Sequence, residues 1–206
     1  MAFDSYSALK TTIASYLARS DLTSIIPDFI RLAEERLRRD IRTRMMLTVA
    51  TASTIAADST VGLPTDFLEM RDIHLNTNPV TTLRYKAPNS FYAESRVTDG
   101  GKPVDYTILG SEIQLAPTPD STYVLQMLYY GKPPLLSSTN ASNIFLANYP
   151  DALLYASLAE AEPYLMNDAR VQTWAALYDR AVTAITNSDQ SSEYSGQPMS
   201  MSYNVR

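Results

Sequence analysis

Residues 149–187, YPDALLYASLAEAEPYLMNDARVQTWAALYDRAVTAITN, read as two packed helices with a short break between them. Pro150 suits a first helical turn, where its missing N–H has no intrahelical partner to lose. Behind it, Leu153, Leu154, Tyr155, Ala156, Leu158, Ala159 and Ala161 leave almost no polar face, and a helix apolar nearly all round is buried on several sides. Pro163 predicts a kink or an end to that helix, and Asn167 or Asp168 offers a side-chain cap for the next. There Val171, Trp174, Tyr178, Val182 and Ile185 recur at three- and four-residue spacing, with Leu177 and Ala181 filling in and Asp179 and Arg180 off the stripe. Two helices of this kind need partners from elsewhere in the chain.

The N-terminal quarter supplies them. Residues 4–19 predict a first helix, capped by Asp4 or Ser5 and striped by Tyr6, Leu9, Ile13, Tyr16 and Leu17. A second helix is predicted from about Ser24 to Arg44. Pro27 and Asp28 fall in its first turn, and Ile26, Ile30, Ala33, Leu37 and Ile41 form its buried side. Glu34 with Arg38 and Glu35 with Arg39 are four-apart pairs of the favourable order.

From Leu47 the period changes. MLTVATASTIA, VGLPTDFLEMRDIHL and TTLRYK read as strands, PNSFYAES (88–95) as one helical turn, and VTDGGKP (97–103) as a loop. VDYTIL, with Val104, Tyr106 and Ile108 on one side, is joined to EIQLAP by Gly110-Ser111, the pattern of a tight hairpin. TYVLQMLYYG follows with apolar residues on both sides, which predicts a central strand or one covered on both faces. Residues 143–148 lead into the helical pair. Past Asn187 the chain turns polar, and it is expected to be disordered by itself. The expected class is α+β: a four-helix bundle from the N- and C-terminal helices (4–44 and 149–187), with an antiparallel β lobe inserted at about 46–131. One domain, residues 1–190, then carries a flexible C-terminal tail, 191–206.

The totals exclude several classes of function. A chain of 206 residues can bury roughly 70% of its unfolded surface, enough for a core. No run approaches the ~18 apolar residues of a membrane helix, and no secretory signal is expected from the first residues. The absence of cysteine removes disulfides, thiolate nucleophiles and cysteine metal sites, and fits a reducing compartment. A net charge of −5 argues against nucleic-acid binding by the surface as a whole. Fourteen tyrosines suit surfaces that are both apolar and hydrated, as interfaces are.

No catalytic motif emerges. His74 is the single histidine, and its expected role is that of a surface or half-buried strand residue. No Gly-x-Ser-x-Gly elbow, Walker loop, GxGxxG or EF-hand loop is present. Neighbouring or two-apart carboxylates, Glu34 with Glu35 and Glu160 with Glu162, point to different sides of a helix and are not an acid/base pair by themselves. One of the latter pair, if buried among its apolar neighbours, has a raised pKa; the plainer reading puts them on a wet helix edge or beside an arginine. Asn140-Ala-Ser142 matches a glycosylation triplet that has no meaning without a secretory route. No cofactor or metal site is expected.

Two features point to partners. Arg36, Arg38, Arg39, Arg42 and Arg44 crowd the end of the second helix in an otherwise acidic chain. Such a cluster either stabilises the helix C-terminus or meets an anionic partner, an acidic protein patch or phosphates contacted without base reading. The exclusive use of arginine favours the partner. In the tail, Tyr194, Met199, Met201 and Tyr203 are spaced anchors in polar text, suited to folding onto a neighbour through backbone pairing.

Three stretches carry a family resemblance: FDSYSALKTTIASYLARSDLTSIIPDFIRLAEERLRRDIR (3–42), YTILGSEIQLAPTPDSTYVLQMLYYGKPPLLS (106–137) and NYPDALLYASLAEAEPYLMNDARVQTWAALYDRAV (148–182). Together with LPTDFLEM they resemble the head-to-tail adaptor proteins of tailed bacteriophages, the portal-adaptor or tail-accessory type, over nearly the whole chain. The resemblance implies a helical bundle with an inserted β region. It implies a protein monomeric before assembly that joins the portal as a twelvefold ring, extends the DNA channel and meets the next tail component, a nozzle or tail tube. The C-terminal segment of such proteins reaches toward the portal. The expected place is the neck of the virion, reached by assembly in the host cytoplasm. Genomic DNA passes without sequence-specific contact, and no membrane is involved. The alternatives are another neck component, a stopper or tail terminator, and a cell-wall-cleaving enzyme using a carboxylate such as Glu160.

Overall fold

The computed structural model describes residues 4–19, 21–95, 97, 99–165 and 168–193. The chain is mixed α+β, with six α-helices and antiparallel sheets among those residues, and it divides into two compact units. One comprises residues 1–45 with 133–206, the other residues 46–132.

The first unit is helical. α1 (Tyr6–Leu17) starts where the Ser5 side chain accepts a hydrogen bond from Ala8 N at 3.3 Å, and it ends at Ala18 in the left-handed region, φ 52°. α2 (Ile26–Asp40) is shorter than its apolar stripe suggested: Ile41 is already extended, so Arg42 lies beyond the helix and Arg44 opens a 3-10 turn, Arg44–Met46. A five-residue helix, α4 (Ile144–Asn148), stands where only a lead-in was expected. Asn143 caps it by accepting from Leu146 N at 3.0 Å. α5 (Pro150–Leu165) is the hub, touched by α1, α2, α4 and α6 (Asp168–Glu193). Its alanines and leucines from Ala152 to Ala161 are buried on every side, as an all-round apolar helix requires. Pro163 sits inside α5, and the helix runs through it to Leu165, the last described residue before Asp168. α6 continues to Glu193, past the predicted end at Asn187 and into the segment expected to be a flexible tail. Asn167 lies outside the described residues.

The second unit is a β structure. β1 (Leu47–Ser53) pairs antiparallel with β10 (Val124–Gly131) from Leu47↔Tyr130 to Ser53↔Val124. On the other side of β10 lies β3 (Phe67–Leu75), and beyond it the two-residue β4 (Thr81–Thr82). A second sheet runs β2 (Thr60–Gly62), β8 (Glu112–Ala116), β7 (Asp105–Leu109) and β5 (Arg84–Tyr85). Gly110, φ 61°, forms the β7–β8 hairpin at the expected place. Not every pairing is antiparallel: β5 runs parallel to β7, and β6 (Gly100–Gly101) parallel to β9 (Thr118–Pro119).

Both sheets contribute to one apolar cluster that includes Ile73, Leu75, Tyr106, Ile113, Leu115, Leu125, Met127 and Tyr129. β10 is central, but only Leu125, Met127, Tyr129 and Gly131 are buried; its other face is half-exposed. The strand covered on both faces is β7, where Thr107 is as buried as Tyr106. α3 (Pro88–Glu94) packs over β7 with Phe91 fully inside. Gly131 admits close packing: a Cβ there would come within 3.0 Å of Asp66 Oδ2 and 3.1 Å of Thr48 Oγ1. Asp66 Oδ1 in turn accepts from Tyr129 Oη at 2.9 Å, which together with burial raises the tyrosine pKa to about 12.

Candidate functional site

The arginine cluster lies on α2 and in the residues just after it, and most of it is engaged within the helical unit. Arg36 lies 4.3 Å from the Tyr178 ring, within 3.5 Å of Glu160 Oε1 and 3.8 Å of Asp40 Oδ2. Tyr178 is buried, donates to the same Asp40 Oδ2 at 2.6 Å, and has its pKa raised first by burial and then by that bond. Arg36 thus ties α2 to both α5 and α6. Arg38, only 12% exposed in its side chain, donates to Glu35 Oε1 at 2.6 Å and to the Pro133 carbonyl. Its Nε is buried without an acceptor. Arg42 caps the end of α2 by donating to the Arg38 and Ile41 carbonyls at 2.6 and 2.8 Å. Arg44 reaches α6: its N–H donates to the Asp189 carboxylate at 3.1 Å, and its Nη1 to the Ser192 carbonyl at 3.4 Å.

Arg39 differs from the others. It is exposed and makes no ion pair among the described residues. Arg31 and Leu32 are exposed on the same helix, Leu32 at 52%. Tyr164, 55% exposed on α5, stands edge-to-face on Phe29 of α2 at 5.7 Å between ring centroids. Leu32 and Tyr164 were missed by pattern reading. The available signal was that Leu32 falls off the Ile26–Ile30–Ala33–Leu37–Ile41 stripe.

The four-apart pairs expected on α2 are replaced by others. Arg38 takes Glu35, three residues away, and Arg36 takes Asp40. Glu34 turns inward. It is buried, and its Oε1 accepts from Leu136 N at 3.0 Å and Asn143 Nδ2 at 2.5 Å. Burial raises its pKa, and the bonds from Leu136 and Asn143 offset only part of that rise. The segment after Pro133 is therefore pinned to α2 by one buried carboxylate and one arginine.

The other helical carboxylates separate. Glu160 is part-exposed beside Arg36. Glu162 is buried, accepts from Trp174 Nε1 at 3.1 Å through Oε1, and leaves Oε2 without a hydrogen-bond donor. Around it Trp174 stacks on Tyr155 at 6.2 Å and meets Tyr16 edge-on at 6.0 Å. His74 is half-buried in β3, with Nδ1 3.3 Å from Asp72 Oδ2. No group of three or more His, Cys, Asp or Glu side chains among the described residues is arranged to hold a metal ion. No helix among them is long and apolar enough to cross a membrane. Tyr194, Met199, Met201 and Tyr203 lie outside the described residues.

What the arrangement offers chemically is recognition: an exposed guanidinium on a helix whose neighbouring arginines fix its frame, a helix that also exposes Leu32 two turns earlier. A family model described as SU10 adaptor protein matches residues 4–202. No curated protein matches the chain.

Proposed function

The chain belongs to the SU10 adaptor protein family, a family of phage structural adaptors, and on that premise we propose that it is the head-to-tail connector of a phage neck. In this reading its helices form a bundle carrying the β unit as an inserted lobe. Copies assemble as a twelvefold ring between the portal and the next tail component, a nozzle or tail tube, and genomic DNA passes through the ring without sequence-specific contact. The protein works by assembly and catalyses nothing. The observation that carries the reading is the family match across residues 4–202.

Two regions would make the contacts. The first is the arginine-rich stretch from Arg36 to Arg44. Arg39 presents its charge outward to an acidic patch on portal or neighbour, while Arg36, Arg38, Arg42 and Arg44 hold the helix end in place. The second is the segment with Tyr194, Met199, Met201 and Tyr203, which orders on a partner surface. Both suit coupled ordering, in which a subunit joins a ring only on the portal template.

The test is to weigh the protein alone and after mixing with its portal. The expected result is a portal-dependent particle heavier by twelve copies. Arg39→Glu is expected to weaken assembly at least about tenfold, the scale of one lost charge-assisted contact, with an unchanged melting temperature. A protein that never joins the portal refutes the reading; normal assembly by Arg39→Glu removes Arg39 from the interface.

A further inference from the structure

The β unit holds an open seam between its two sheets. β3 pairs with β10 on one edge, but on the other only His74 and Leu75 have a strand partner, in β4. At buried Leu83 the chain then leaves the first sheet for the second, where Arg84 and Tyr85 run parallel to Asp105 and Tyr106. From Phe67 to Asp72 the outer edge of β3 therefore carries no strand among the described residues, and neither does the outer edge of β5. A groove opens there, lined by apolar Phe67, Met70, Tyr85 and Ile108 and by charged Glu69 and Arg71. Tyr85 is 58% exposed and stands edge-to-face on Tyr106 at 5.5 Å. An exposed strand edge flanked by apolar side chains is a template for a further strand.

The same chain carries a segment with the matching pattern. Residues 199–205, MSMSYNV, alternate without a break: Met199, Met201, Tyr203 and Val205 against Ser200, Ser202 and Asn204. Strict period two marks a strand with one buried face, and seven such residues span roughly 23 Å. The open edge from Phe67 to Asp72 is of similar length. A strand of this kind satisfies its backbone groups only at a sheet edge, and its apolar face only against a surface such as this groove.

We propose that residues 199–205 of one copy add as a strand to the open edge of β3 in a second copy, seating Met199, Met201 and Tyr203 in the groove. The choice of a second copy rests on the ring reading above. In a ring of head-to-tail contacts, each subunit has one arm to give and one groove to fill, and closure leaves neither empty. A contact too weak to join free subunits becomes saturated once neighbours are held side by side.

The experiment needs no portal, so its failure leaves the connector reading untouched. A fluorescent peptide of residues 194–206 is titrated with the full chain carrying Met199→Ser, Met201→Ser and Tyr203→Ser, whose own arm no longer competes. The expected result is saturable binding with a dissociation constant on the order of 100 μM or tighter. Tyr85→Glu and, separately, Met70→Glu should weaken it at least about tenfold while the melting temperature stays within a few degrees. A peptide with 199–205 reordered to MMSSYNV should lose binding to the same extent. Absence of binding, or binding indifferent to both groove substitutions, overturns the proposal. Above the peptide's dissociation constant the wild-type chain should self-associate and the triple-serine chain should not. A wild-type chain that stays monomeric there overturns the assignment to a second copy.

Discussion

Replacing Glu34 tests whether one buried carboxylate fastens the segment after Pro133 to the helical unit. Alanine removes the acceptor of the Leu136 N–H and of one Asn143 amide hydrogen; the other Asn143 hydrogen keeps the Pro134 carbonyl at 2.9 Å. A buried donor left without an acceptor costs about 1–3 kcal/mol. Two of them outweigh the relief from no longer burying a carboxylate, so Glu34→Ala should lose about 2–4 kcal/mol. Glutamine keeps an oxygen at the Oε1 position, where both bonds converge, and drops the charge; it should stay within about 1 kcal/mol of wild type at neutral pH. The pH dependence separates the two effects. Burial raises the Glu34 pKa above its ordinary 4.5, so the folded chain favours the protonated acid. The stability this contributes is complete below the ordinary value and is lost as pH rises through the raised one. Glutamine should abolish that slope. Trp174, the single tryptophan, lies in the helical unit, and its fluorescence follows that unit through urea unfolding between pH 4 and 8. Equal losses for alanine and glutamine, or an undiminished slope in glutamine, would refute the reasoning.

Two further predictions concern other buried acids. Trp174→Phe keeps an aromatic ring between Tyr155 and Tyr16 but leaves buried Glu162 with no donor on either oxygen. Stability should fall by about 1–3 kcal/mol, and adding Glu162→Leu should recover part of it, read as a double-mutant cycle by thermal melting. In the β unit, burial pushes the Asp105 carboxyl upward. Hydrogen bonds from Lys86 and Ser95, with the charges of Lys86 and Arg84, outweigh it and hold the pKa below the ordinary 3.8. Stability from Asp105 is therefore present above that value and lost as pH falls through the lowered one. Acid titration of β-sheet circular dichroism should show this loss in wild type and a weaker one in Asp105→Asn.

Long periodic elements were legible in the sequence. α1, α2, α5 and α6 lie over their predicted stripes, although α2 stops short of Ile41 and α6 runs past Asn187, and the β7–β8 hairpin turns at Gly110. Short and nonlocal features were not. α4 has five residues, too few to show a period, and it is set by the Asn143 cap. Residues 188–193 looked like tail because they are polar. Extending an existing helix adds one hydrogen bond per residue without a new nucleus, and Asp189 gains the Arg44 N–H. TTLRYK, read as a strand, holds both β4 and β5, but the parallel direction of the β5 pair and the two-residue β6 in a predicted loop carry no sequence pattern. Composition announced an arginine cluster but not its division of labour. The acceptors of Arg36 and Arg38, at Glu160 and Pro133, lie far along the chain and become neighbours only through packing.

The antiparallel pairing of β1 with β10 sets the first strand of the second unit beside its last, Leu47 opposite Tyr130. Seen from the helices, a detour spanning residues 46–132 then behaves as a tether of a few residues. Once those two strands have zipped together, the loop between α2 and α5 shrinks from about 109 residues to about 25, which eases bringing those helices together by roughly 1 kcal/mol of loop-closure entropy. The second unit can therefore lengthen or shorten at its far loops at little entropic cost to joining α2 and α5.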